Sequence, residues 1–508
     1  MGEKIIIIGA GIAGLFTSLA LARDNKPEAD AQNRDITVLD RDPPPPPGSA
    51  DDAFEVWERK GVGHLRHSHA FLARLYQIIA KNYPDLLAEL LDAGCRELAF
   101  ADTLPPSLTD TYQAEASDGD MTILTSRRTT LEHVIRRYAA RQPGVRFITG
   151  TRVHKLHKEQ AGGETIKITG VQLDIDGKRE DMPADIIIDA GGKNSLMIPQ
   201  LIDEGLPISE EEESAGILYY TRHYRLNDGV GEPERGAVPG AGDLGYIKYG
   251  LFPADNRCFS ITLAVPEVEH EFRRKIVQPE IFDKICANLP GIARWTSAET
   301  STAYSRVFGM GQLISRWRHI VQDATPLTLN FFPLGDTLIR TNPLYGRGCS
   351  FAAVQAEILR DVLNSAQNPG QKAIAYDAQV TEQIKPFYRD MVTQDQNAIR
   401  RARNQLTPDH KPGLKSRVIK SFIEDGITVA LRADINLMRA AMRGFHMLDH
   451  PSAWLKKTSN MAKVLIYWAR GKTRNARYYP PTLGPGRAKM MQTLGLSPQA
   501  DIERLKST

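Results

Sequence analysis

The first two dozen residues constrain this chain more than anything that follows. Lys4 and four isoleucines pass without a polar break into Gly9-Ala10-Gly11-Ile12-Ala13-Gly14 and then LFTSLALAR. A short β-branched run predicts a strand buried on both faces, the environment of a parallel sheet, and the apolar run after it predicts a helix. The glycines between them define what the turn is for. Gly9 permits the tight turn, Gly11 leaves bare backbone where a pyrophosphate can approach the helix N-terminus, and Gly14 lets helix and strand pack closely. A second strand, DITVLD, ends on Asp40, placed to accept hydrogen bonds from a ribose. The usual spacing to that acid is ~20 residues, and the polar stretch DNKPEADAQNRD lengthens it. Together these elements predict a bound dinucleotide, with a purely structural glycine turn as the alternative.

Composition limits the rest. A chain of 508 residues with 42% hydrophobic and 25% charged positions can bury two or three packed units. A net charge of +3 argues against a nucleic-acid binder, but the charge is uneven: Lys411 to Lys506 holds 18 Lys or Arg against 6 Asp or Glu. Cys95, Cys258, Cys286 and Cys349 lie far apart with no C-x-x-C pair, which fits reduced thiols better than disulfides or a zinc site. The N-terminal apolar run is too short and too rich in glycine for a signal peptide or spanning helix, so a cytoplasmic protein is expected.

The remaining pieces of a dinucleotide site are scattered. TSRRTTLEHVIRRYA (125–139) reads as an amphipathic helix whose Ser126 and Arg128 could face a phosphate or ring edge. PADIIIDAGGKNS (183–195) is another apolar strand, ending on Asp189 and followed by Gly191. FFPLGDTLIRTNPLYGRGCSFAAV (331–354) is a third, with Gly335-Asp336 at its end and Asn-Pro plus two spaced glycines before a helix. A chain that returns three times to one sheet around an extended ligand is expected to bind FAD.

The ordered set GAGIAG, VLDRD, KGVGHLRHSHAFL, SRRTTLEHVIR, ADIIIDAGGKNS and PLGDTLIRTNPLYGRGCSFAA resembles the flavin-dependent monooxygenases of the glutathione-reductase-like FAD fold. It is most similar to the polyether-type olefin epoxidases (monensin and lasalocid epoxidase-like), whose corresponding turn reads much like NPLYGRGCSFAA. The resemblance covers about residues 1–400. It implies an α/β fold: a Rossmann-like FAD-binding domain in three parts (1–100, 120–200 and 306–400) and an inserted antiparallel β substrate domain (201–305); beyond it the residue pattern itself predicts a basic helical C-terminal region (401–508). It also implies roles. Gly9, Gly11, Ala13, Gly14, Asp40, Arg41, Arg128, Asp189 and Gly191 would contact the cofactor. Asp336 beside Gly335 would bind the ribityl chain. Pro343, Gly346 and Gly348 would shape a turn facing the flavin pyrimidine ring, where a helix N-terminus stabilises the negative charge of reduced flavin. Arg66, His67 and His69 lie where the family's FAD chain passes, and His64 stands where glutamine is usual. These histidines are read as cofactor contacts, with packing histidines as the alternative; no acidic or cysteine partner sits at metal-ligand spacing, and no metal is expected.

Between 200 and 305 the pattern alternates and is rich in aromatics, with a turn signal at Pro253 to Asn256. Tyr219, Tyr220, Arg222, Tyr246 and Phe252 are candidates to line a substrate cavity; plain core is the alternative for each. After Pro386 the chain reads as helical and basic. DINLMRAAMRGFHMLDHPSAWLKKTSNMAKVLIYWARGK is either a packed appendage or a surface that touches anionic lipid, as on the inner face of a membrane. No catalytic side chain is assigned, because the resemblance places the chemistry on FAD and O2. Its implied reaction is oxygenation, most simply epoxidation, of a double bond in a lipophilic substrate of secondary metabolism. Electrons would come from NAD(P)H, directly or through a separate flavin reductase. The latter is favoured because Asp189 is followed by Ala190 where self-reducing hydroxylases carry an adjacent Asp-Gly. The rival readings are a reductase or dehydrogenase of isoprenoid double bonds, a halogenase, whose W-x-W-x-I-P signature is absent, and a non-catalytic scaffold.

Overall fold

The computed structural model describes residues 2–26, 33–175, 177–407 and 410–507. Half of the polar stretch that lengthens the spacing to Asp40, residues 27–32, lies outside the described residues. The isoleucine run forms β1 (Lys4–Ile8), the glycine turn opens helix α1 (Ile12–Ala22), and DITVLD forms β2 (Asp35–Asp40). Helix α2 (Arg128–Ala139), β3 (Val145–Thr149) and β4 (Ile186–Asp189) follow. Next come β5 (Ile217–Leu226), β6 (Lys248–Pro253) and β7 (Cys258–Pro266), then β8 (Phe331–Pro333), helix α3 (Gly348–Ser365) and the long helix α4 (Pro369–Leu406).

One sheet has the order β8-β4-β1-β2-β3, every neighbour parallel. Ile5 pairs with Ile36 on one side and Ile186 on the other, so β1 is central, and Ile5, Ile6 and Ile7 are buried. A strand sandwiched between helices needs apolar side chains on both faces, which the isoleucine run supplies. Between β3 and β4 lies a three-stranded antiparallel excursion (Arg152–Gly162, Thr165–Ile175, Lys178–Pro183), whose Leu156, Ile168, Val171 and Leu173 join the same core.

A second sheet runs Ala241–Asp243, β6, β7, β5, Ser301–Ala303, with Phe308–Met310 also on β5. The hairpin between β6 and β7 turns at Asn256 and Arg257, both at positive φ (51° and 59°), slightly beyond the expected Pro253–Asn256 signal. Asp255 in this hairpin is fully buried. It accepts hydrogen bonds from the Arg127 backbone N–H (2.7 Å), the Arg127 guanidinium and the Thr130 hydroxyl (2.7 Å), bolting the second sheet to α2. One face of this sheet is a core of its own, built with Phe272, Phe282, Ile285 and Leu289.

The C-terminal region is helical, but it divides. α5 (Leu414–Ser421), α6 (Ile435–Phe445) and α7 (Thr458–Asn475) form one group, whereas α8 (Arg487–Thr493) returns to the second sheet and buries Met490 and Met491 in its core. No described helix is long and apolar enough to cross a membrane.

Candidate functional site

A single cavity of about 910 Å³ runs from the glycine turn to the second sheet. The glycines divide their work as the turn requires. A Cβ at Gly14 would stand 1.8 Å from the Gly9 carbonyl oxygen, and one at Gly9 would stand 2.6 Å from the Ala190 oxygen, so helix, strand and neighbouring turn meet backbone to backbone. A Cβ at Gly11 would meet nothing within 4 Å. Its bare backbone faces the open cavity at the start of α1, as an anion cradle needs.

Asp40 stands at the end of β2 on the cavity wall. Its Oδ2 accepts from Ala10 N–H (3.2 Å) and from the Arg59 guanidinium (2.6 Å). Arg59 also donates to Glu132 (2.5 Å), and Glu132 accepts from Arg128 (2.6 Å). All four side chains are buried, and each charge is matched. Burial pushes Asp40 above the ordinary carboxylate range, against the opposing pull of Arg59.

The histidine loop is built into this wall. His69 donates through Nδ1 to the His67 carbonyl (2.8 Å), which leaves Nε2 to accept from Arg128 (3.2 Å) and fixes a neutral imidazole. Burial, then the Arg128 charge, holds His69 well below its ordinary pKa. His67 pairs with Thr221 (2.9 Å), and burial lowers it to about 4. His64 also lines the cavity. Among the described residues no three of His, Cys, Asp and Glu gather to hold a metal ion.

Asp336 lies across the cavity on the turn after β8. Its carboxylate accepts no hydrogen bond from any described residue, although Arg340, Arg128 and Lys193 oppose the rise that burial imposes on its pKa. An acceptor held among cations without a donor of its own fits a ligand hydroxyl. The Asn342–Gly346 turn is fixed from behind. Asn342 accepts from Tyr219 (2.6 Å) and donates to Asp395 of α4 (2.8 Å), which also accepts from Tyr345 (2.9 Å). Pro343, Gly346 and Gly348 then face the cavity at the N-terminus of α3.

Other candidates fall elsewhere. Arg41 lies on the rim, half exposed. Arg66 turns away and donates to the Phe54 and Trp57 carbonyls. Asp189 sits beneath the wall, where it accepts from Gly191 N–H (3.0 Å) and the Ser195 hydroxyl (2.6 Å), so it shapes the turn that puts Gly191 on the cavity. Ser126 bonds the Arg127 carbonyl. Of the sheet residues, Tyr219 and Phe252 line the cavity. Tyr220, Arg222 and Tyr246 do not: Tyr220 donates to the Arg273 carbonyl, Arg222 pairs with Asp283, and Tyr246 donates to the Pro485 carbonyl on the opposite face. Neighbours on a strand point to opposite faces, so Tyr219 and Tyr220 cannot share one. The sequence reading missed Arg59, Lys193 and Arg340 on the cavity wall and Glu132 behind Arg59, together with Phe445 and His446, which bring the C-terminal helices onto the cavity. Only for Phe445 and His446 was there a usable signal, an aromatic pair ending an amphipathic helix.

No protein-family model matches the chain. Protein Rv3254 of Mycobacterium tuberculosis is 24% identical over 393 residues, 73% of this chain and 74% of its own. Among solved structures, PqsL, described as a probable FAD-dependent monooxygenase from Pseudomonas aeruginosa, superposes with a TM-score of 0.55 at 16% identity, over 79% of this chain and 98% of its own. CmlS, a flavin-dependent halogenase, gives 0.55 at 16%, over 93% and 78%. The fold is the FAD-binding fold of flavoprotein monooxygenases and halogenases, with a sheet-rich insertion and a helical C-terminal region. Resemblance to the polyether epoxidases in particular remains a matter of the sequence motifs.

Proposed function

We propose that the chain is an FAD-dependent monooxygenase that places one atom of O2 on a carbon–carbon double bond of a lipophilic substrate, giving an epoxide. The observation that carries this reading is continuity: one cavity joins the Gly11 cradle, Asp336 and the start of α3 to the face of the second sheet that carries Tyr219, Phe252, Ala264 and Met310 beside Lys248 and Thr262. FAD, when bound and reduced, supplies the oxygen activation. The protein supplies the rest. Gly9, Gly11 and the α1 N-terminus would take the pyrophosphate, Asp40 the ribose and Asp336 the ribityl chain. The 343–348 turn would take the pyrimidine edge. Tyr219, Phe252, Met310, Leu313 and Leu344 would exclude water from the reacting end.

Direct transfer to an alkene needs no base at the substrate. In keeping with this, the carboxylates among the described lining residues, Asp40, Asp42 and Asp336, all belong to the dinucleotide end. His446 at the other end is held neutral, its pKa lowered to about 4 by burial. The reaction balances as alkene, O2, two electrons and two protons giving epoxide and water. The Asp189-Ala190-Gly191 sequence favours delivery of the electrons by a separate reductase over NAD(P)H bound to this chain.

The test supplies the protein with enzymatically reduced flavin, labelled O2 and candidate polyenes, polyketides or unsaturated acyl compounds. One labelled oxygen in an epoxide is the expected product. Label at an aromatic carbon, incorporated halide, or a saturated product without label would each replace the reading with a rival.

A further inference from the structure

The sequence leaves the basic C-terminal region as either a packed appendage or a surface that touches anionic lipid, and its helices use their charges differently. On α6, Arg439 is tied to Asp118 and Glu115, and Arg443 to Asp120 and Asp449. Leu437 is buried, and Phe445 reaches the cavity. α6 is a packed wall whose cations are paired with the protein's own carboxylates, Arg439 in the interior and Arg443 nearer the surface.

α5 is the reverse. It has no buried residue, and every position from Lys411 to Lys420 is exposed. Leu414 is 70% exposed, and Val418, Ile419 and Ile423 are each close to half exposed. Lys411, Lys415, Arg417 and Lys420 are interleaved with them, and no Asp or Glu occurs from 411 to 423. The helix is anchored at its far end, where Trp468 of α7 donates to the Ser421 hydroxyl (3.0 Å) and meets Phe422 edge to face. Beside that anchor α7 exposes Leu465 and Ile466, with Arg470 and Lys472 following. Lys420 meets Glu424 one turn on (3.8 Å) and Lys472 meets Asp425 (3.8 Å), both at the anchored end, so the aliphatic side chains of α5 face water among cations with no carboxylate on the helix itself.

We infer that α5, with the exposed aliphatics of α7, is a docking surface for an anionic lipid bilayer. Charge complementarity selects the partner. Among the described residues Lys411, Lys415 and Arg417 carry no ion pair and Lys420 only an exposed one with Glu424, so the helix presents a net positive face to anionic headgroups. The aliphatic side chains between the cations enter the acyl boundary with the helix lying in the interface plane. Phe445 is an exposed apolar residue at the cavity. It is 43% exposed, lines the cavity, and ends the helix that follows the same continuous segment. A lipophilic substrate dissolved in the bilayer would then enter beside Phe445; that clause alone rests on the proposed function.

The experiment is co-sedimentation of the full-length protein with vesicles of phosphatidylcholine, with and without phosphatidylglycerol, across a salt series. The wild type should bind the anionic vesicles at low salt and be released as salt rises. Each cation removed should cost about five-fold in partitioning, so Lys415→Ala with Arg417→Ala and Lys420→Ala should lose roughly a hundred-fold. Val418→Glu with Ile419→Glu should also abolish binding, with little change in the melting curve because both positions are exposed. Wild-type protein left in the supernatant, or binding that survives both variants, overturns the inference. So does a wild-type dimer that the Glu pair converts to monomer, which would give the surface to a second copy. Vesicle binding needs no flavin, so its failure would leave the FAD reading standing.

Discussion

Arg59 is the side chain whose loss should be felt most widely. It lies in the loop just before the histidine motif, and its guanidinium reaches Glu132 at 2.5 Å and Asp40 at 2.6 Å, where Glu132 is fully buried. Arg59→Met keeps much of the aliphatic volume and removes the charge. Glu132 retains Arg128 at 2.6 Å, but Asp40 keeps only the Ala10 and Asp42 backbone N–H groups. Stranding a buried charge costs about 3–5 kcal/mol. Because burial already raises the Asp40 pKa against the pull of Arg59, the variant should relieve itself by protonating Asp40. The deficit should therefore be largest at neutral pH and shrink in mild acid. Thermal and denaturant unfolding at several pH values would measure it. Adding Asp40→Asn to Arg59→Met should restore most of the loss, because the stranded charge is gone. A loss below about 1 kcal/mol, or a double variant no more stable than the single one, would refute the reasoning.

Asp336→Ala should weaken FAD binding by about 1.5–3 kcal/mol, the value of a hydrogen bond to a charged acceptor, while leaving the melting temperature of FAD-free protein nearly unchanged; equilibrium fluorescence titration decides it. Asp395 is held at about 6 by burial. A carboxyl whose pKa rises on folding takes up a proton as it folds, so its contribution to stability is lost as pH rises from about 4 to about 6. Asp395→Asn keeps the acceptor for Asn342 and Tyr345 and should flatten that fall, leaving the variant up to ~3 kcal/mol more stable at pH 7; a pH series of melting curves showing parallel profiles would contradict this. Anaerobic NADPH alone should bleach the bound flavin far more slowly than NADPH with a flavin reductase, and stopped-flow absorbance compares the two.

What the sequence discloses here follows the range of the forces involved. The β1 strand, the glycine turn and Asp40 are legible because their chemistry is local: a β-branched run, three glycines at fixed spacing and an acid at a strand end. Arg59 and Glu132 are not, because they acquire meaning only when residues 73 apart meet. The second sheet was legible as alternation, which puts Tyr219 and Thr221 on one face and Tyr220 and Arg222 on the other. Which face would meet the cavity depends on a partner core that includes Met490 and Met491, more than two hundred residues downstream. Asp189 read as a ligand because it ends a strand as Asp40 does; the neighbouring Ser195 and Gly191 instead claim both of its oxygens. The basic tail showed its charge but not its pairing, and pairing separates α6, a cavity wall, from α5, an open surface.

The central claim is that the cavity holds FAD. The direct measurement is the visible spectrum of the purified protein before and after FAD is added and unbound flavin removed, followed by heat release and quantification of the flavin. The account predicts one FAD per chain, bound noncovalently and released intact. Protein that stays colourless after incubation with FAD would contradict it.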